Sequence, residues 1–143
     1  MAATAAEIAQ LRRMIAESDD TTYTDASLTT YIEAHPLIDV FGEEPYEWDT
    51  TTEPPTQDDN DDWVPTYDLH AAAADIWEEK AAAVAHKFDF SADGGRYDAS
   101  QQYEMYMKSA RFHMARRSGK TVRSIMHPLV DETVEGLDSD LHN

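Results

Sequence analysis

Five of the six prolines in this 143-residue chain fall between residues 36 and 67. Pro36, Pro45, Pro54, Pro55 and Pro65 each remove a backbone donor and push the preceding residue out of the α region. No helix can cross that stretch, so any helical fold must be assembled from a segment before it and a segment after it. The same stretch holds Thr50-Thr51-Thr52 and the acidic run Asp58-Asp59-Asn60-Asp61-Asp62. This composition predicts a long acidic loop, an arm over 36–67 without regular structure. The arm also carries Phe41, Tyr46, Trp48, Trp63 and Tyr67. So many aromatics suit an arm that docks, either on its own subunit or on a neighbour.

On either side the pattern is helical. Thr4-Ala5-Ala6-Glu7 reads as a capping box, and Ile8, Leu11 and Ile15 follow at helical spacing to about Glu17. Thr24 or Asp25 caps a second helix with Leu28, Tyr31 and Ile32, closed by His35-Pro36. Asp68 caps a third, in which Leu69, Ala73, Trp77, Ala81 and Val84 recur every three or four residues to about His86. Gly94-Gly95 supplies a turn, Asp98-Ala99-Ser100-Gln101 reads as another cap, and a fourth helix runs to about Arg117. The expected fold class is therefore all-α: a small four-helix bundle with a long acidic loop between helices 2 and 3 and an extended C-terminal tail. Residues 1–118 form the helical domain, with 36–67 inserted. Residues 119–143 form a tail that orders on a partner.

The fourth helix has two apolar faces. Tyr103, Tyr106, Met107, Ala110 and Met114 make one stripe, whereas Met105 and Phe112 lie opposite, flanked by Lys108 and Arg116. One small domain cannot bury both faces against itself. Met105 and Phe112 are therefore expected to meet another chain or the 36–67 arm, together with Lys108, Arg116 and the arm residues Trp48 and Trp63.

Charge is distributed as unevenly as proline. The formal net charge is -18, and residues 14–79 hold 19 acids with no Lys or Arg. Residues 80–123 hold nine basic residues against four acids. Such acidity argues against a simple phosphate-backbone binder, which needs a positive field. It matches proteins of a high-salt cytoplasm such as that of a haloarchaeal host. At about 1 M salt the Debye length falls to about 3 Å, which screens self-repulsion. The basic group Arg111, Arg116, Arg117, Lys120 and Arg123 follows helix 4 without a base-reading motif, and is expected to meet acidic protein surfaces. No apolar run approaches the roughly 20 residues of a membrane span. The first residues lack the apolar stretch of a signal peptide.

The sequence offers little chemistry. Cysteine is absent, which removes disulfides, thiolate metal sites and thiol nucleophiles. Ser118-Gly119-Lys120-Thr121 imitates the end of a phosphate-binding loop, but Met114 stands where its first glycine belongs. Asp58, Asn60 and Asp62 have the spacing of a calcium loop, but Trp63 and Leu69 stand where glycine and glutamate are needed. None of His35, His70, His86, His113, His127 and His142 sits at a metal-binding spacing. No catalytic residue, metal or cofactor is expected, and the chain reads as a non-enzyme.

The order of a short helix, then Tyr23-Thr24-Asp25-Ala26-Ser27-Leu28, then the run Leu69 to Ala83, then Phe88 to Gly95 and a Tyr/Met-rich helix ending in Arg116-Arg117, resembles the small head-tail connector proteins of tailed viruses, also called adaptor or head-completion proteins. The resemblance covers residues 4–35 and 68–118, and its distinctive part spans Ala72–Gly95. It implies a virion protein at the neck, in the host cytoplasm during assembly. A ring of about twelve copies would sit beneath the portal protein, extend the DNA channel and receive the next neck or tail-completion protein. Genomic DNA would pass through without sequence-specific binding. The resemblance also implies that the tail reaches the portal, through Lys120, Arg123, Ile125, Met126, Leu129 and Val130. The long arm departs from the family's short connection between helices 2 and 3. A competing expectation is an acidic DNA mimic or assembly-regulating binding protein.

Overall fold

The computed structural model describes residues 2–88 and 96–119. It contains four helices and a two-stranded antiparallel hairpin: α1 (Ala5–Met14), α2 (Asp25–Glu33), β1 (Tyr46–Asp49), β2 (Thr56–Asp59), α3 (Leu69–Phe88) and α4 (Arg96–Met114). The all-α expectation is thereby corrected. The acidic arm is not an irregular loop but carries a small sheet, so the fold mixes helix and strand.

The helices begin where side-chain chemistry satisfies their first amides. The Thr4 hydroxyl accepts from Glu7 N at 3.3 Å, and the Glu7 carboxylate accepts from Thr4 N at 2.7 Å, completing the box. Thr24 Oγ1 accepts from Ser27 N at 3.2 Å, and Asp68 Oδ1 accepts from Ala71 N at 3.0 Å. α1 stops earlier than the apolar spacing suggests. Ala16 takes φ +58°, and the amides of Ala16 and Glu17 turn back onto the carbonyls of Arg13 and Arg12. That pattern is a left-handed helix stop, built here on alanine instead of glycine. α4 starts at Arg96, which places Asp98 inside the helix instead of at its cap, and ends at Met114 before Arg117. The expected Gly94-Gly95 turn lies outside the described residues.

The core is one cluster from three helices. Leu11 and Ile15, Tyr23, Leu28 and Ile32, and Ala72, Ala73 and Ile76 of α3 bury against each other. α3 also grips the end of α1 through polar atoms. Trp77 Nε1 donates to Met14 O at 3.1 Å, and Lys80 Nζ donates to Ile15 O at 2.8 Å while pairing with Glu17 at 2.6 Å. These bonds occupy carbonyls that the helix end leaves without partners. α4 returns along α3 in the opposite direction, since His70 meets His113 and Trp77 meets Tyr106. Ala71 to Ala74 are all buried, which lets helices approach α3 closely on more than one side.

The arm leaves and rejoins this frame through a closed neck. Leu37 N donates to Thr66 O, Asp68 N donates to His35 O, and Pro36 bridges to Tyr67. Above the neck, β1 and β2 pair from Tyr46↔Asp59 to Asp49↔Thr56. The arm's aromatics divide. Trp63 is 6% exposed, donates from Nε1 to Leu37 O at 2.9 Å and meets the Tyr67 ring edge-on at 5.7 Å. Trp48 stays 41% exposed. Docking on the chain itself thus describes Trp63 and Tyr67, not Trp48.

Candidate interaction surface

Two surfaces stand out, one on α4 and one at a turn of the arm just above its neck. The inward side of α4 is narrower than its apolar residues suggest. Ala110 and His113 are buried, and Tyr106 and Met107 are half-buried. Tyr103 and Met114, expected inside with them, are instead exposed at 37% and 41%. Histidine takes the place of a hydrophobe because it has partners. Its Nδ1 lies 3.0 Å from His70 Nδ1, and it also bonds the backbone of Met14. Burial first, and the neighbouring His70 second, push the His113 pKa below its usual 6.5.

The outward side presents Met105 at 57% and Phe112 at 50% exposure. Lys108 and Arg116 are exposed beside them, and the Arg116 guanidinium lies 4.1 Å from the centre of the Phe112 ring. Positions 105, 108 and 112 share one stripe of α4, and Arg116 lies just past the helix end. Arg111 and Arg117 add positive charge near the helix C-terminus, where the dipole is negative. The result is a basic strip with an apolar centre.

The turn at 39–42 has the opposite character. Asp39 and Gly42 occupy the first and fourth places of a β-turn, closed by Gly42 N to Asp39 O at 3.2 Å, with Gly42 at φ +87°. The buried Asp39 carboxylate organises the turn. Oδ1 accepts from Phe41 N at 2.8 Å and Glu43 N at 2.9 Å, and Oδ2 accepts from Val64 N at 2.9 Å. These backbone donors hold its carboxyl below the ordinary carboxylate range. Asn60 braces the same region, its Nδ2 donating to Glu44 O at 2.9 Å. The two central residues of the turn are thrust outward, Val40 at 85% and Phe41 at 76% exposure. Around this knob the arm carries only acids.

Of the expected interface residues, Met105, Lys108, Phe112 and Arg116 fall together on one surface, and Trp48 is exposed on the hairpin. Trp63 is 6% exposed, its ring held within its own arm. The expected portal residues Lys120, Arg123, Ile125, Met126, Leu129 and Val130 lie outside the described residues. Sequence reasoning named Phe41 only as one aromatic among five and missed Val40. The spacing Asp39-x-x-Gly42 was the signal that could have found the knob.

The rejected motifs have physical counterparts. The Ser118 amide, which a phosphate-binding loop would offer to an anion, donates to Asp68 Oδ2 at 2.8 Å. Asn60 is tied into the arm, its Oδ1 accepting from Asp62 N. Among the described residues no group of three His, Asp or Glu side chains is placed to hold a metal ion. A pocket of about 190 Å³ lies under the arm, lined by Glu33, Asp59, Tyr46, Trp63, Tyr67 and two prolines. No helix among the described residues is long and apolar enough to cross a membrane.

Known proteins give no further guide. Comparisons with protein families, with curated proteins and with solved structures return no match.

Proposed function

We propose that the chain is a structural subunit of the head-tail connector of a tailed virus, forming a ring beneath the portal and joining the DNA-filled head to the neck. The proposal rests on the sequence resemblance over 4–35 and 68–118. The observation that carries it furthest is the outward face of α4, where Met105 and Phe112 stay exposed inside a basic strip. Connector rings need two different patches per subunit that meet head to tail, because identical patches would close a dimer. An exposed apolar centre of this kind marks a protein contact more readily than a catalytic cleft. The overall charge of -18 suits a channel wall that does not grip DNA, since carboxylates repel phosphates.

The test is quantitative mass spectrometry of purified, DNA-filled particles of the source virus. A ratio near one copy per portal subunit supports a neck component. Absence from particles overturns the reading. One observation favours a second reading, an acidic mimic of DNA that occupies a nucleic-acid-binding protein: both faces of the hairpin expose carboxylates, among them Glu47, Asp58 and Asp59. Tight, salt-sensitive capture of a basic DNA-binding protein, with no copies in particles, would select it.

A further inference from the structure

We infer that the 39–42 turn of one copy, through Val40 and Phe41, docks on the outward face of α4 of a second copy, around Met105 and Phe112. This contact rests on the ring reading and gives it a specific joint.

The two surfaces are complementary in charge. Residues 39–62 carry ten acids and no base, whereas the α4 strip carries Lys108, Arg111, Arg116 and Arg117. With the whole chain at -18, another copy's arm is repelled from most of the molecule. The basic end of α4 is where it is received. Like charges across an interface select against wrong partners, and opposite charges fix the orientation of the right one.

Each surface also has an apolar centre of matching kind. Val40 and Phe41 form a small projecting knob. Met105 and Phe112 lie two helical turns apart with Lys108 between them, and Arg116 covers one face of the Phe112 ring. Methionine and aromatic side chains adapt well to such a knob.

The knob is held ready in the free chain. Three backbone amides, from Phe41, Glu43 and Val64, converge on the Asp39 carboxylate, so binding loses little backbone freedom at the turn. Within one chain the complement is unmet, because Val40 and Phe41 stay 85% and 76% exposed and Met105 and Phe112 stay 57% and 50% exposed. Two unlike patches can pair reciprocally across a two-fold axis, but they can equally be met by two different copies. In the second arrangement they propagate from copy to copy, and a suitable rotation closes the chain of contacts into a ring.

The absence of native cysteine makes the test direct. Two single-cysteine proteins, Phe41→Cys and Phe112→Cys, are prepared full length and checked for native circular dichroism. Both positions are at least half exposed, so folding is expected to survive. Each is treated alone, and then as a mixture, with a short bis-maleimide. The expected result is a covalent dimer in the mixture and little in either protein alone. Lys108→Glu with Arg111→Glu in the Phe112→Cys partner is expected to slow coupling roughly tenfold at low salt, and much less at about 1 M salt. Equal coupling in the mixture and in the separate proteins overturns the contact. So does a mixture that fails to couple at concentrations where the wild-type chain sediments as an oligomer, which leaves assembly through some other surface. A wild-type chain that stays monomeric and uncoupled at every salt concentration overturns self-contact, whereas the connector reading is still decided by the count of copies in particles.

Discussion

At Ile76 the molecule is held by carbon, and at Asp39 it is held by hydrogen bonds. Ile76 sits in the three-helix cluster with Leu11, Ile15, Leu28 and Ile32, and polar contacts appear only at the cluster's edges. Asp39 sits in an arm whose hairpin strands bury almost nothing, where a carboxylate, the Asn60 amide and the Trp63 indole tie one backbone segment to another. Apolar burial is non-directional and gains with every atom removed from water. Hydrogen bonds are directional, and each contributes only about 1 kcal/mol net. The frame is thus built for stability, and the arm for holding a particular shape.

The comparison can be broken at its strongest point first. Ile76→Ala should destabilise the whole molecule by about 2–5 kcal/mol, read as a fall in the urea midpoint at unchanged slope. A loss below about 1 kcal/mol would mean that the cluster is not the seat of stability. Asp39→Ala should act next most strongly but locally. The amides of Phe41, Glu43 and Val64 should exchange faster with solvent, while helical circular dichroism is retained. Global unfolding by this change would show that the arm and the frame are one cooperative unit. Thr4→Ala should cost about 1 kcal/mol by removing the α1 cap. Ala16→Gly should move the other way, gaining about 1 kcal/mol, because alanine is held in the left-handed region that glycine adopts freely.

The smallest effect separates the regions by pH. His113 has its pKa lowered in the folded state, so the unfolded chain binds its proton more readily. Stability from this group is present above pH 6.5 and falls as pH drops below it. Asp39 is also lowered, from an ordinary 3.8, so its contribution persists until the solution is more acid still. Urea midpoints between pH 7 and 5 should therefore report the α3–α4 contact, with His113→Gln flattening the profile.

What was legible in the sequence follows the same division. α1, α2 and α3 announced themselves through Thr4, Thr24 and Asp68 at their starts and through apolar residues at helical spacing, because the forces that build the frame are periodic, whereas α4 starts before the cap expected at Asp98. The hairpin was silent. Strands with Glu47, Asp49, Asp58 and Asp59 show no alternation of apolar and polar residues, since neither face is buried, and acids are poor strand formers. The bonds that shape the arm join residues 39 to 64 and 60 to 44, with no repeating pattern for a reader of sequence to detect. On α4 the exposed pair Met105 and Phe112 could be read from a helical wheel. The replacement of Met114 by His113 on the inner side could not, because it depends on His70 arriving from another helix.

The row Ala71 to Ala74 has a consequence for how this protein can change over time. Small side chains usually tolerate replacement, since there is little to lose. Here the smallness is itself the fitted part: helices lie against a rod whose girth is set by single methyl groups. Any heavier residue adds volume where none is free, and overpacking of this kind typically costs about 1–3 kcal/mol. In a library of random substitutions, these four modest alanines should drift more slowly than most of the tryptophans and tyrosines of the arm. The positions that look least specified by chemistry would then be among the most constrained by space.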